Sequence, residues 1–503
     1  MSDKILFWLD ADLTHFGIAS SLQKKLDAEF FAIIDITDKP KAFFESQHIV
    51  KFKKFWFYHD HVIDQHDEVD VGYLSAFEKK YNINLWQIVY NERIFYQFNE
   101  YYRFSEREVL KILEKECRLF ESVLDDVRPD FMMMRAADLH QNQLFYELCK
   151  AKKIKVLLLG QSRFAYRPII SSKWHEIEEV ENYKNHSSGP TRTREELLNY
   201  LKGTNTFKQT SEYTESFQSS QKGRISAVLD YLHTKNTNQK THYTYFGRTK
   251  FKVLTKSFTY LLKRKLRESF INGNLIHEID KKIPFLYFPL HLDEESTLLI
   301  GAPFFTNQVE IIRHIVKSMP VGYRLYVKEH PAMKLRGWRS KSYYKEIMNL
   351  PNVKLLHPSV KPEDIMTNCS LVLSITSTAS LEAAFYNKPS LIFADAPYSA
   401  LPSVYRLKTV EELPMAIRQS LQCKEVDLQD LNKFVNFVND NSFELDMFKL
   451  ELGYAKFFYH DGNLVDVDIT APQMEAYLEK YRKEFEILAD EHIKKIKVHK
   501  NIK

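Results

Sequence analysis

The sequence is poor in cysteine and glycine, with four cysteines and 13 glycines among 503 residues. The cysteines form no CxxC pair, so their spacing excludes a zinc knuckle or a disulfide framework and favours a reducing compartment. The shortage of glycine, together with 44% hydrophobic and 14% aromatic residues, excludes a collagen-like or broadly disordered chain. The composition is that of a globular protein whose core is rich in Phe and Tyr.

Long apolar runs are also missing. No stretch approaches the roughly 20 residues that a membrane-spanning helix needs. The run Ile5–Leu9 has the length of a strand and is too short for the apolar region of a signal peptide. We therefore expect a cytoplasmic protein, with peripheral attachment to the inner face of the cell membrane left open.

A large charge excess of one sign is absent, because 71 Lys and Arg residues face 66 Asp and Glu for a net charge of +5. This small excess, without an aromatic-basic groove pattern, predicts no nucleic-acid partner. The basic residues do cluster at 248–267, where they alternate with Phe, Val and Leu. This segment is either a solvated helix face or a basic amphipathic helix on an anionic membrane surface, and both interpretations stay open.

The length predicts two or three domains. Strand-like and helix-like segments alternate, and strands such as Lys4–Leu9 and Phe131–Met134 are almost continuously apolar. This pattern is typical of a parallel sheet covered by helices on both faces, so we predict an α/β fold with two Rossmann-like domains facing across a cleft. The predicted divisions are an N-terminal Rossmann-like domain at 1–169, a helical or loop connector at 170–280, a second Rossmann-like domain at 281–424 and a C-terminal helical segment packing on both domains at 425–503.

Two parts of the chain break the alternation. The polar stretch Asn185–Gln221 has no buried-strand pattern and predicts a mobile loop. Helices are predicted beside it, near Arg194–Lys202 and Arg224–His233. At the other end, Pro472–Lys497 predicts a last long helical segment. Neither part carries a motif that points to chemistry.

The strongest local signal is Leu371–Pro389, where a buried strand runs into a hydroxyl-rich turn and a helix. Helix N-termini expose backbone N–H groups that bind phosphate, and small hydroxyl side chains add donors. Glu382 lies one helical turn beyond Thr378, where its carboxylate can accept hydrogen bonds from a ribose. The structural alternative is a capped helix that binds nothing. The residues predicted to contact the nucleotide are Ser374, Thr376, Ser377, Thr378, Ser380 and Glu382.

A second signal is Tyr326–Pro331, in which a strand delivers three polar side chains to its carboxyl end, where α/β sheets bind ligands. Lys328 and His330 are suitable donors to a phosphate, and Glu329 either accepts from a base or sugar or pairs with Lys328. His291 ends an earlier strand, and its spacing fits a ring facing the cleft as well as a ring capping a buried helix. A strand end without a ligand is the alternative interpretation.

In the first half, the loop Leu9–Gly17 joins the first strand to the first helix and supplies two carboxylates and a histidine. An acceptor hydroxyl needs a nearby base, and Asp12 or His15 can serve. Arg163 follows a later strand and can reach across the cleft. These three are the predicted catalytic residues, although acidic residues in such turns are usually helix caps. The His-Asp-His at 59–61 has no third ligand nearby, so we predict no metal site.

Three of these segments, Tyr287–His291, Lys328–Pro331 and Ser374–Pro389, resemble the capsule polysaccharide biosynthesis family. That family consists of two-Rossmann glycosyltransferases and includes the Kdo transferases of bacterial capsule assembly. Leu9–Ala19 and Leu159–Arg163 are similar more loosely. The resemblance implies a GT-B-like fold in which the second half holds a nucleotide donor and the first half holds the acceptor. It also implies that neither a metal nor another cofactor is required.

The resemblance therefore implies a glycosyltransferase that moves a sugar from a nucleotide-sugar onto a growing surface or capsular polysaccharide or a lipid-linked acceptor. A CMP-sugar is slightly favoured because of the His-Pro at 330–331, and UDP- and GDP-sugars are not excluded. Lys328, His330 and the turn at 376–380 would neutralise the leaving phosphate in place of a metal. The stretch Leu292–Glu295 is more acidic than the family pattern, so the base and the stereochemistry stay open.

Two alternatives remain beside glycosyl transfer. A polyol-phosphate transferase or a sugar-nucleotide epimerase could use the same fold, and an epimerase would need converging carboxylates and no acceptor. A non-catalytic binding or scaffold protein of polysaccharide assembly could also keep the fold. In that case changes at Asp12, His15 or Lys328 would leave function intact.

Overall fold

The computed structural model describes residues 2–63, 68–90, 92–165, 167–203, 231–232, 237–423, 425–458 and 467–501. The strands are β1 Asp3–Asp10, β2 Ala28–Asp35, β3 Phe52–Phe57, β4 Phe131–Arg135, β5 Lys155–Gln161, β6 Pro168–Ser171, β7 Phe285–Pro289, β8 Arg324–Lys328, β9 Val353–Leu356, β10 Leu371–Ser374, β11 Ser390–Ile392 and β12 Val404–Arg406.

Helices connect and cover these strands. The α-helices are α1 Thr14–Leu22, α2 Asp38–Ser46, α3 Tyr58–Val62, α4 Val71–Tyr81, α5 Leu85–Tyr90, α6 Glu106–Val127, α7 His140–Ala151, α8 Arg194–Gly203, α9 Asn238–Thr241, α10 Lys250–Asn274, α11 Ser296–Leu299, α12 Gln308–Ser318, α13 Lys341–Met348, α14 Pro362–Asn368, α15 Ala379–Phe385, α16 Leu413–Gln422, α17 Leu428–Asp440, α18 Met447–Phe458, α19 Ala471–Lys480 and α20 Arg482–Asn501. A π-helical turn spans Arg93–Gln97, and 3₁₀ turns span Val180–Asn185, Tyr243–Tyr245, Pro303–Phe305, Pro331–Lys334, Pro397–Ala400 and Val410–Glu412.

The strands form two six-stranded sheets with the same topology. The first has the order β3-β2-β1-β4-β5-β6, and the second has the order β12-β11-β10-β7-β8-β9. Counted from its own first strand, each sheet reads 3-2-1-4-5-6, which is the Rossmann order. All pairs are parallel except β5 with β6. The predicted α/β fold with two Rossmann-like domains, of the GT-B type, is confirmed.

The apolar alternation of β1 shows why the first sheet is covered on both faces. Side chains of a strand point alternately to the two faces of its sheet. Ile5, Phe7 and Leu9 enter one core, against α1 and the C-terminal helices, and Leu6 and Trp8 enter the other, against α6 and α7. All five side chains are buried. A strand that is apolar on both faces is therefore matched by helices on both sides.

Helix α6, Glu106–Val127, has sequence signals at both of its ends. Ser105 caps its N-terminus through the backbone N–H of Glu108, whose carboxylate accepts in return from the backbone of Ser105. Arg128 ends the helix in the left-handed region, with φ of 50°, just before Pro129. Local sequence signals at both ends explain why this element is readable from sequence.

The C-terminal segment differs from its prediction. The single helical segment Pro472–Lys497 is divided into α19 and α20, which meet at Tyr481 with φ of −106° and ψ of 22°. The ring of Tyr481 fills the space beside Gly453, where an added Cβ would lie 2.3 Å from it. Helix α20 then packs along α1, so the end of the chain returns to the first domain.

The region between the two sheets is described at residues 172–203, 231–232 and 237–284. Strand β6 pairs with β5 on the first sheet, although it crosses the predicted boundary at 169. Tyr243 is buried in the core between the first sheet and helices α6 and α7, where its hydroxyl lies 3.0 Å from the hydroxyl of Tyr58. Helix α8 confirms the prediction at Arg194–Lys202. The other predicted helix, Arg224–His233, and residues 204–221 of the predicted loop lie outside the described residues, 231–232 excepted.

Candidate functional site

The candidate site lies where the order of the second sheet reverses, between β7 and β10. Their carboxyl ends lead into the loops that carry His291 and Thr376, and ligands of open α/β sheets bind at such a point. The Nε2 atom of His291 accepts a hydrogen bond of 3.1 Å from the backbone N–H of Thr376. Burial lowers the pKa of His291 to about 3, so the ring is neutral. One ring nitrogen is thus already used to join the two loops.

The hydroxyl-rich turn after β10 has a buried side and a partly exposed side. The hydroxyls of Ser374 and Ser380 lie 2.8 Å apart and are both fully buried, and Ser374 Oγ also accepts from the N–H of Ser377. These two hydroxyls hold the turn together and do not reach solvent. Thr376, Ser377 and Thr378 are partly exposed. Helix α15, which follows, has only seven residues.

Glu382 and Lys328 bring opposite charges to this edge. The hydroxyl of Thr378 donates to Glu382 Oε1 at 3.1 Å, as the spacing of one helical turn predicts. Burial raises the pKa of Glu382 against the opposing effects of Thr378 and Lys328. Burial lowers the pKa of Lys328 to about 8, although Glu382 and Glu329 oppose this. Lys328 is 4% exposed and mostly protonated at pH 7.

His330 lies beside Lys328 and is neutral. Burial and the positive charges of Lys328 and Arg339 lower the pKa of His330 to about 4. Its Nδ1 atom accepts from the backbone N–H of Ala332 at 3.2 Å, which leaves the proton on Nε2. His330 can therefore donate a hydrogen bond to a phosphate, but it does not bring the positive charge that the sequence interpretation gave it.

A further buried charge of the site belongs to Arg339, which no sequence motif indicates. Its Nε donates to Glu329 at 3.0 Å, and its other two nitrogens donate to Asp293 and to the carbonyl of His291. The Tyr344 hydroxyl also donates to Glu329 at 2.7 Å. Glu329 is therefore occupied and does not face a base or sugar. A lone arginine in a loop carries no motif that could have revealed this role.

In the first domain, Asp12 belongs to a chain of charges. Arg135 donates to Asp12 Oδ2 at 2.5 Å and to Glu451 Oε1 at 2.7 Å. Burial opposes ionisation, but Arg135 lowers the pKa of Asp12 to about 2. Burial and the charge of Asp12 raise the pKa of neighbouring Asp10 well above its usual range. Asp10, which the sequence analysis passed over, therefore has the more basic carboxylate.

His15 and Arg163, the other predicted catalytic residues, lie in different surroundings. His15 is 1% exposed on α1, and its ring centroid lies 6.4 Å from that of His492 on the covering helix α20. Burial lowers the pKa of His15 to about 3. The His15 ring is therefore buried, and its role as a base stays a prediction. Arg163 is partly exposed and follows β5 with φ of 62°.

A cavity of about 990 Å³ lies between the two domains. Arg163 lines it from the first domain and Thr376 from the second, so the structure brings these two predicted residues together. Lys328, His330 and Glu382 are not among its lining residues. The domains are also joined at this place, where the Ser296 hydroxyl donates to Asp138 at 2.6 Å. Burial lowers the pKa of Arg163, as expected for a guanidinium held in a covered cleft.

The His-Asp-His at 59–61 has a structural partner. His59 Nε2 lies 3.1 Å from Asp35, and the centroid of the His59 ring lies 3.9 Å from that of His242, with the two rings tilted by 44°. In the part of the chain that the structure describes, no three His, Cys, Asp or Glu side chains converge as metal ligands. No described helix is long and apolar enough to cross a membrane.

The fold and the site define a two-domain Rossmann-like protein of the GT-B type. Its candidate site is formed by loops at the point where the strand order of the second sheet reverses. Residues 184–402 match the family model described as "Capsule polysaccharide biosynthesis protein". This match confirms the resemblance to the capsule polysaccharide biosynthesis family. It contains all three motif segments of the second half, and it also extends into the 170–280 region, where the sequence analysis recognised no motif. No curated protein matches the chain by sequence.

Several solved structures are similar over most of the chain. One is the UDP-GlcNAc 2-epimerase of Methanocaldococcus jannaschii, at 13% identity over 86% of this chain and 99% of that one, with a TM-score of 0.25. Another is the β-Kdo 2,7 transferase KpsC of Thermosulfurimonas dismutans, at 10% identity over 70% and 91%, with a TM-score of 0.30. The spinosyn rhamnosyltransferase SpnG is 8% identical over 87% and 95%, with a TM-score of 0.25. At such scores none of them defines the activity of this chain.

Proposed function

We propose that this protein is a glycosyltransferase that moves a sugar from a nucleotide-sugar onto a growing capsular polysaccharide or a lipid-linked acceptor. A CMP-sugar is the favoured donor, ahead of UDP- and GDP-sugars. One observation carries the proposal: Arg163 and Thr376 line the same cavity from opposite Rossmann-like domains, beside the switch point of the second sheet. A two-substrate transfer needs a cleft of this kind, with a nucleotide on one side and an acceptor on the other.

In this proposal the second domain stabilises the leaving nucleotide phosphate without a metal ion. Lys328 supplies a positive charge from the end of β8, and the neutral ring of His330 supplies a hydrogen-bond donor. Ser377 adds a hydroxyl donor on the exposed side of the turn, whereas the hydroxyls of Thr376 and Thr378 already donate to the Thr297 carbonyl and to Glu382. Donors fixed in a covered site stabilise developing charge without having to reorganise during the reaction. Glu382 is assigned to the ribose hydroxyls.

The first domain would supply the base for the acceptor hydroxyl. A general base works best when its pKa lies near the working pH. The pKa of Asp12 is held low by Arg135, whereas burial and Asp12 raise that of Asp10. We therefore assign proton abstraction to Asp10, with Asp12 and Arg135 holding its loop. Arg163 is assigned to the phosphate or the acceptor across the cleft.

A thermal-shift panel with CMP, CDP, UDP, GDP and ADP tests the nucleotide site. A ligand that binds only the folded protein raises the melting temperature through mass action. We expect one nucleotide to stabilise the native protein without added metal and to lose this effect in His330→Ala. The matched control is His357→Ala, which removes the histidine of the other His-Pro pair, hydrogen-bonded to Ser359 and Asn272 at the surface. If no nucleotide stabilises the protein with or without Mg²⁺, the proposed donor site is refuted.

A further inference from the structure

Helix α10, Lys250–Asn274, carries a row of apolar side chains that point away from the protein. Phe251 is 79% exposed, Phe258 64%, Leu262 50% and Leu266 61%. Their spacing of seven, four and four residues places them on one face of the helix. These four residues are the exposed row. Large apolar side chains scattered singly over a surface need no explanation, but a row along one helix face indicates an interaction surface.

The opposite face of α10 is fixed to both domains. Near its start, Lys252 donates to the carbonyl of Tyr101 in the first domain. Further along, the Tyr260 hydroxyl donates to the carbonyl of Leu335 at 2.6 Å, and Arg267 donates to the carbonyl of Trp338 at 2.8 Å. These contacts set the rotation of the helix, so the exposed row faces outward because the other side is held.

The charge on this helix favours an anionic partner. Its 25 residues include seven Lys or Arg and a single acidic residue, Glu268. Lys263 and Lys265 are exposed beside the row and form no ion pair within the described part of the chain. A helix with apolar residues on one face and basic residues along its sides matches a bilayer surface, where lipid tails accept the first and lipid phosphates the second.

We propose that the exposed row of α10 lies in the interface of an anionic lipid bilayer and holds the enzyme on the membrane. The membrane proposal adds a location to the proposed function. Only its statement about the acceptor rests on that function. The loop 335–339, to which α10 is bound, also carries Arg339, which holds the loops of His291 and Glu329 at the candidate donor site. The bilayer that carries a lipid-linked acceptor would therefore lie against α10, whose other face contacts this loop.

Vesicle sedimentation of the full chain tests this proposal without any nucleotide. We expect binding to vesicles that contain phosphatidylglycerol, little binding to phosphatidylcholine alone, and weaker binding as salt rises. The Phe258→Ser/Leu262→Ser double variant should bind about tenfold more weakly or worse, because it removes apolar area from the lipid contact. Lys263→Glu/Lys265→Glu should lose the preference for the anionic lipid. The control is Met415→Ser, because Met415 is an apolar side chain that is 65% exposed on another helix, α16.

The proposal is overturned if the native chain does not sediment with anionic vesicles, or if the Phe258 and Leu262 changes leave binding unaltered. Analytical ultracentrifugation of the same proteins tests whether a second copy of the chain covers the exposed row instead. A native dimer that the double variant converts to a monomer, without vesicle binding, would assign the row to a second copy of the chain. Vesicle binding without any nucleotide effect would support the membrane surface while the proposed donor site fails.

Discussion

Replacing Arg339 with methionine should destabilise the protein by about 3–5 kcal/mol. The guanidinium is 3% exposed and pairs with Glu329, which is fully buried, so the variant leaves a carboxylate in the interior without its cation. Burial by itself lowers the pKa of Arg339, but the pairing with Glu329 and Asp293 raises this pKa well above its usual range. Urea unfolding measures the change in the free energy of unfolding.

Two further variants show that this effect comes from the buried pair. Arg313→Met removes an arginine that pairs with Glu310 and Glu346 at the surface, and we expect little change because solvent screens such pairs. Arg339→Lys keeps the charge but cannot make all three bonds of the guanidinium, so it should recover only part of the loss. Equal effects of Arg339→Met and Arg313→Met would show that Arg339 does not hold the donor loops.

Replacing Gly17 with alanine should lower the free energy of unfolding by about 1–3 kcal/mol, because it disturbs the packing of the C-terminal helix. An added Cβ at this position would lie 2.2 Å from the Phe485 ring, which is 1% exposed between α1 and α20. The ring has little free space to move into, because buried side chains are close-packed. Thermal unfolding should show a lower melting temperature for the variant.

The comparison with Gly273→Ala isolates the steric cause. Nothing lies within 4 Å of an added Cβ at Gly273, which is inside helix α10, so alanine there should be neutral or stabilise by up to about 1 kcal/mol. Combining Gly17→Ala with Phe485→Leu should return part of the lost stability, since the smaller side chain vacates the space. A Gly17→Ala variant as stable as the native protein would contradict the tight contact between the two helices.

The fold could be predicted because its signals are local. The apolar run of β1 and the alternation of strands and helices depend on neighbouring residues, and the structure follows both closely. The division of the last helical segment at Tyr481 could not be predicted in this way. The Tyr481 ring packs against Gly453, a residue 28 positions away whose lack of a side chain makes room for it.

The candidate site could be predicted only in part, for a similar reason. The ends of β7, β8 and β10 were identified because parallel strands bring their carboxyl ends to one edge. The direction of each side chain was not available from the pattern. Ser374 and Ser380 face inward and His291 binds the Thr376 backbone, although all three have the residue types of ligand contacts. Arg339 was missed because its partners are distant in sequence.

Glycosyl transfer is tested most directly by incubating the native protein with CMP-, UDP- and GDP-sugars, with and without an acceptor glycan. We expect one nucleotide to be released only when the acceptor is present, with the sugar found on the acceptor. The Asp10→Asn variant should retain nucleotide binding and lose transfer, because it removes the proposed base while keeping a similar shape. An isomerised sugar-nucleotide formed without acceptor would contradict glycosyl transfer in favour of an epimerase, and no turnover of any donor would favour a non-catalytic protein.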